Sequence, residues 1–89
     1  MNVRRSVWNA AMPTSEKIVW LWCIENAMQK SNHCAVAAFE CGMSAEAFKM
    51  VLRELQFRHY LMPTFTDGAY FKCDYGPQAI HLKGGQVSD

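Results

Sequence analysis

The stretch that decides the fold is VAAFECGMSAEAFKMVLRELQFRHYL, residues 36–61. It predicts two helices joined by a tight turn, CGMS, at residues 41–44. Gly42 is suited to the left-handed backbone that ends a helix, and Ser44 to capping the helix that follows. After Ser44 the apolar residues recur with the i, i+3, i+4, i+7 spacing of one helical face, at Phe48, Val51, Leu52 and Leu55. The stretch therefore indicates a helix-turn-helix arrangement.

The shorter helix before the turn is expected to cover that apolar face. Val36, Ala37 and Cys41 are the side chains predicted to do so. Because Ala37 and Ala38 are small, the two helices are expected to cross closely.

Length and charge set limits on the rest of the molecule. The chain has 89 residues, of which 51% are hydrophobic and 19% charged, as expected for one small globular domain. Nine basic and eight acidic residues leave a net charge of only +1. This charge is low for a nucleic-acid binder, whose affinity depends on neutralising phosphates, but it does not exclude one.

The sequence shows no sign of a membrane or secretory segment. The first residues lack the apolar core of a signal peptide, and the longest apolar run, 18–24, is too short to cross a bilayer. The four cysteines form no CxxC pair and, with the histidines, show no standard metal-ligand spacing. We therefore expect reduced, structural thiols in a cytoplasmic protein, with no metal and no cofactor.

The N-terminal segment is predicted to be an arm followed by a long helix. Residues 1–12 are expected to form a frayed basic arm containing Arg4 and Arg5, from which Trp8 docks back onto the domain. The helix is expected to begin at residues 13–16, with Thr14 or Ser15 as its cap, and to run to about residue 29.

This first helix is apolar on nearly every side and needs cover on more than one face. Its predicted core stripe consists of Ile18, Leu21, Trp22, Glu25 and Met28. A second apolar face consists of Val19, Trp20, Cys23 and Ile24. Two alternatives remain for that second face: the N-terminal arm covers it, or a second copy of the chain covers it in a homodimer.

A β-hairpin is predicted after the helix-turn-helix. Its strands are residues 60–65 and 69–75, joined by a turn containing Asp67-Gly68. Pro63 suits an edge strand or a bulge. A very short strand is predicted at residues 34–35, and the tail from Gly76 to the end, 76–89, is expected to be loosely ordered.

The order of helix, helix-turn-helix and hairpin is that of a winged helix. A tryptophan-bearing arm leads into P-T-x-E-K-x-V-x-L, and a loop ending in cysteine precedes A-x-x-x-G-x-S and L-x-x-L-x-x-x-x-L. With these motifs, the chain resembles the winged helix-turn-helix domains of phage and plasmid replication proteins and mobile-element regulators. The matching residues are Trp8, residues 13–19, Cys34, Ala38, Gly42, Ser44, Leu52, Leu55 and Leu61.

The resemblance covers roughly residues 8–75 and implies both a fold and a function. The implied fold is α+β and mainly α, with three helices and a two- or three-stranded antiparallel wing in a domain spanning 13–75. The implied function is DNA binding in transcription regulation or replication. Two departures stand out: Ala45, Glu46 and Ala47 replace small polar or basic residues, and His59 replaces a glycine. The second departure predicts that the third helix runs on further than usual.

The outer face of the third helix supports two hypotheses about function. It presents Glu46, Met50, Arg53 and Phe57, flanked by Lys49 and Glu54. The first hypothesis is a protein, expected to be a dimer, that binds double-stranded DNA through Ala45, Glu46, Lys49, Arg53, Lys72, Arg4 and Arg5. The second is a protein-interaction module that uses Met50, Phe57, Trp20, Val19 and Ile24.

An enzyme is not predicted. The sequence contains no nucleophile with a nearby base, no phosphate-binding loop and no metal motif. Ser44 is explained by its capping role, so no catalytic residue is assigned. No membrane partner is expected.

Overall fold

The computed structural model describes residues 3–28 and 30–78. Within these ranges the fold is α+β, with four helices and a three-stranded antiparallel sheet in the order β1-β3-β2. The elements in chain order are α1 (Val3–Asn9), α2 (Thr14–Asn26), β1 (Asn32–His33), α3 (Cys34–Glu40), α4 (Ala45–Phe57), β2 (Leu61–Thr66) and β3 (Tyr70–Tyr75).

The turn between α3 and α4 is formed as its sequence predicts. Gly42 has a positive φ of 74°, and the Ser44 hydroxyl accepts a hydrogen bond from the Ala47 backbone amide at 3.1 Å. Along α4, Phe48, Leu52 and Leu55 are fully buried, and the fourth predicted core residue of this helix, Val51, is half-buried. The amphipathic interpretation of this helix is confirmed.

The predicted extension of this helix is wrong, because α4 ends at Phe57. His59 adopts a φ of 66°, the left-handed conformation that favours glycine. The amide of His59 donates to the Gln56 carbonyl at 2.9 Å, and that of Tyr60 donates to the Leu55 carbonyl, also at 2.9 Å. This pair of bonds is the Schellman pattern, which also ends α3 at Gly42. The histidine therefore takes the place of the expected glycine.

The strand order β1-β3-β2 places β2 at one edge of the sheet. Leu61 pairs with Tyr75 and Thr66 with Tyr70, and the turn residues Asp67 and Gly68 have φ values of 53° and 71°. Pro63 therefore lies on an edge strand, as predicted.

The predicted short strand is displaced by two residues. β1 is Asn32–His33 and pairs with β3, and Cys34 is already the first residue of α3. The reason is a cap that the sequence analysis missed: the His33 ring accepts a hydrogen bond from the Ala35 amide at 3.1 Å and starts the helix. In α3, Ala37 and Ala38 are buried, whereas Val36 is exposed and does not cover α4 as predicted.

Residues 3–9 of the predicted arm form a helix rather than a frayed segment. In α1, Val7 is fully buried in the core, whereas Trp8 is 56% exposed. The Lys17 ammonium donates to the Trp8 carbonyl at 2.7 Å and ties α1 to α2. The docking residue is therefore Val7, not the predicted Trp8.

The core stripe predicted for α2 is wrong. Val19, Trp20 and Cys23 are fully buried, whereas Leu21 and Trp22 are half-buried and Ile18 and Glu25 are exposed. A helix that is apolar all round carries no periodic signal for its inner face, so packing against the other elements decides it. Val7 shares the core with Val19 and Trp20, and the Tyr60 ring lies 4.8 Å from the Trp20 ring. The face is therefore covered within one chain.

The two ends of α2 also differ from the prediction. Pro13 is the residue before the helix, and no side chain caps it, so neither Thr14 nor Ser15 is the cap. The helix ends at Asn26 rather than near residue 29. Glu16 is buried in the first turn and forms an ion pair with Arg58 at 3.0 Å, which links α2 to the end of α4.

The first residues after the hairpin are anchored rather than loose. The Gly76 amide donates to the Tyr60 carbonyl at 2.9 Å, and the Gln78 amide donates to the His59 carbonyl at 2.7 Å. A side chain at Gly76 would overlap the His59 backbone, so only glycine fits there. Residues 79–89, the rest of the predicted tail, lie outside the described residues. Among the described helices, none has the length and apolar character required to cross a membrane.

Candidate nucleic-acid interface

The outer face of α4 is the surface on which the predicted contact residues meet. Because Phe48, Leu52 and Leu55 point into the core, Glu46, Met50, Arg53 and Phe57 lie on the opposite side. Met50 is 66% exposed and Phe57 is 79% exposed. Lys49 is half-buried at the edge of this face.

A pocket lies between α4 and the tip of the hairpin. It has a volume of about 170 Å³ and is lined by Lys49, Arg53, Phe65 and Gly68. Lys49 and Arg53 are one helical turn apart on α4, and Phe65 and Gly68 come from the end of β2 and the hairpin turn. The fold thus brings two predicted cations against a part of the hairpin that the sequence analysis did not select.

Both cations of this pocket are available for an external anion. Neither Lys49 nor Arg53 forms an ion pair with any of residues 3–28 or 30–78. Arg58, by contrast, lies 3.0 Å from a Glu16 oxygen and 3.5 Å from a Glu54 oxygen. The positive charge that α4 offers to a ligand therefore comes from Lys49 and Arg53.

Phe65 was not predicted as a site residue. Its position depends both on the alternation of side chains along β2 and on the register in which β2 pairs with β3. Residues of β2 and β3 that pair directly share one face of the hairpin, and Phe65 pairs with Phe71, which is fully buried. Their ring centroids are 6.3 Å apart. Phe65 is therefore on the helix-facing side of the hairpin and remains 42% exposed at the pocket.

Three of the predicted DNA contacts are not part of this pocket. Lys72 pairs with Thr64, and both lie on the hairpin face opposite to Phe65, where Lys72 is exposed. Ala45 packs against the core, so its methyl group is not presented to a ligand. Glu46 is exposed in the first turn of α4, where its charge complements the helix dipole.

The predicted flexible contact from Arg4 and Arg5 is also corrected. Both residues belong to α1, which packs against α2. Arg5 is exposed on this helix. The pair therefore sits on a folded element rather than on a mobile arm.

The residues predicted for a protein interface fall into two groups. Met50 and Phe57 are exposed, as that hypothesis requires. Val19 and Trp20 are fully buried, so these two are not available to a partner, and Ile24 is half-buried against the core. Exposed apolar surface near α2 instead lines an open groove of about 380 Å³, which includes Trp8, Ile18, Leu21 and Trp22.

None of the four cysteines lines the pocket at α4. All four are free thiols, and among the described residues no group of histidine, cysteine and acidic side chains is arranged to hold a metal ion. A hydrogen bond with Cys73, together with burial, raises the pKa of the Cys23 thiol well above its usual value. Burial also raises the pKa of Cys34, and it raises the pKa of Cys41 to about 11.

These thiols are expected to be unreactive in the folded protein at neutral pH. Thiolate is the reactive form, and burial disfavours it. A thiol reagent at pH 7.5 should label the native protein far more slowly than the unfolded protein, and a chelator should leave the helical signal unchanged.

The unfolded chain loses its thiol protons first as pH rises, so the free energy of unfolding should fall between about pH 9 and 11. Fast native labelling, or unfolding by chelator, would contradict this assignment.

Comparison of the chain with models of protein families gave no match. Comparisons with curated proteins and with solved structures gave none either.

Proposed function

We propose that this protein is a small winged-helix DNA-binding protein that acts in transcription regulation or replication of a phage, plasmid or other mobile element. The observation that carries the proposal is the pocket where Lys49 and Arg53 of α4 meet the hairpin tip, with neither cation paired to a described residue. The resemblance of the sequence to winged helix-turn-helix domains supports the same conclusion.

In this proposal α4 lies in the major groove and the hairpin follows the adjacent backbone. Lys49 and Arg53 contact phosphates and position the helix. Glu46, near the start of α4, is the side chain available to accept a hydrogen bond from a cytosine amino group. Lys72 lies on the far face of the hairpin, where it adds to the positive field without entering the pocket.

The net charge is only +1, and the proposed interface has two phosphate contacts, so the affinity for DNA should depend only moderately on salt concentration. Two phosphate contacts give a slope of log affinity against log salt of about −2, because each contact contributes about −0.9. We therefore expect modest binding to random duplex DNA that weakens steadily between about 50 and 200 mM salt. A titration by fluorescence anisotropy measures this slope. Absence of binding at the lowest salt concentration would overturn the proposal.

A second candidate function is a winged helix used as a protein-interaction module. Met50 and Phe57, seven residues apart and so on the same face of α4, are 66% and 79% exposed. Apolar and aromatic anchors of this kind dominate protein interfaces. The effects of Arg53→Glu, Met50→Asp and Phe57→Asp on duplex affinity separate the two functions.

A further inference from the structure

The pocket between α4 and the hairpin tip combines two chemical features. Phe65 offers an exposed aromatic ring, held in place by its contact with Phe71 at a centroid distance of 6.3 Å. Lys49 and Arg53, which line the same pocket, offer positive charge. A ligand that uses both features carries an aromatic ring and an anion close together.

The hairpin turn leaves room beside this ring. Gly68 lines the pocket with a φ of 71°, and a side chain there would meet nothing within 4 Å. The pocket is therefore open at the turn, so a ligand attached to a longer chain is able to enter and leave it. With a volume of about 170 Å³, it admits one ring system and its linking group rather than a segment of helix.

We propose that this pocket binds one unpaired nucleotide of a DNA strand, with its base stacked on Phe65 and its phosphate between Lys49 and Arg53. The inference rests on the proposed DNA-binding function and adds its preferred substrate, a junction between duplex and single strand. Bases inside a duplex are stacked on each other, so an aromatic side chain reaches a base face there only by prying a base step apart. An unpaired base presents its face without that cost. The protein is thus suited to a fork or an open end rather than to uninterrupted duplex.

The test compares three DNA probes that share one duplex sequence. One probe is a blunt duplex, one is a fork with two unpaired arms, and one is the isolated single strand. Stacking of one base on an aromatic side chain corresponds to an affinity gain of roughly 5- to 150-fold, so we expect the fork to bind more tightly than the blunt duplex by about this factor. A fluorescent base analogue such as 2-aminopurine at the first unpaired position should lose emission on binding.

Two variants assign the preference to Phe65. Phe65→Leu keeps an apolar side chain but removes the aromatic face, and it should lower the ratio of fork affinity to duplex affinity to about one. Phe65→Tyr should retain the preference. Phe57→Leu is the matched control, because Phe57 is an exposed aromatic residue on α4 that does not line the pocket, and it should leave the ratio of fork affinity to duplex affinity unchanged.

The possible failures are distinguishable. Equal affinity for fork and blunt duplex overturns the nucleotide site but leaves duplex binding in place. A fork preference that persists in Phe65→Leu shows that the unpaired strand binds elsewhere, and this also overturns the site. Absence of binding to every probe at low salt overturns the proposed DNA-binding function together with the site.

Discussion

Replacing Arg53 with glutamate is expected to abolish binding to duplex DNA. Arg53 is exposed on the outer face of α4 and has no ion-pair partner among the described residues. The change removes one of two cations at the pocket and places a carboxylate against phosphate. The milder variant Arg53→Ala should retain weak binding, and its salt slope should be shallower by about one unit because one phosphate contact is lost.

The control for this experiment is Lys30→Glu, which causes the same change in net charge. Lys30 is exposed in the loop before β1 and does not line the pocket. It should reduce affinity only slightly, through the overall charge of the protein. If Lys30→Glu weakens binding as much as Arg53→Glu, then the effect is general electrostatics rather than a contact at α4.

The same experiment decides between the two candidate functions. For a DNA-binding protein, Met50→Asp and Phe57→Asp should reduce duplex affinity less than Arg53→Glu does. If the face is a protein interface, Met50→Asp and Phe57→Asp should weaken binding to the protein partner more than Arg53→Glu does. Apolar anchors contribute most of the affinity of such contacts, and charges at their rim contribute little. A salt-sensitive DNA complex that survives Phe57→Asp but not Arg53→Glu would exclude the protein-interface alternative.

Replacing Leu52 with alanine is expected to lower the free energy of unfolding by roughly 2–5 kcal/mol. Leu52 is fully buried in the core between α4 and the other elements, and truncation removes apolar contact and leaves a cavity. This is a large fraction of the stability of a small domain. Chemical denaturation followed by circular dichroism measures the loss as a shift of the transition midpoint.

Met50→Ala is the matched control, since Met50 lies on the same helix with 66% of its surface exposed. We expect a change within about 0.5 kcal/mol, as for other surface substitutions. Equal effects of the two substitutions would contradict the assignment of inner and outer faces of α4.

The local features of residues 36–61 could be predicted because short-range chemistry decides them. Gly42 ends one helix, Ser44 caps the next, and the spacing of Phe48, Leu52 and Leu55 identifies the buried face. The outer face that carries Lys49 and Arg53 followed from the same periodicity. The hairpin followed from its Asp-Gly turn.

Other features depended on contacts between distant segments. The apolar residues of α2 are spread round nearly every side, so their pattern does not indicate the inner face of the helix, and only packing with Val7 and Tyr60 placed Val19 and Trp20 in the core. The left-handed conformation of His59 could not be predicted, because residues other than glycine seldom adopt it.

Some residues of the candidate site could likewise be predicted from the sequence, and others could not. The sequence alone determined two of its residues, Lys49 and Arg53, because the amphipathic period of one helix sets their exposure. Only the tertiary structure brought Phe65 and Gly68 next to Lys49 and Arg53. The pairing of β2 with β3 and the packing of the hairpin against α4 decide which hairpin residues face this helix. These are contacts between residues far apart in the chain, and local propensity carries no information about them.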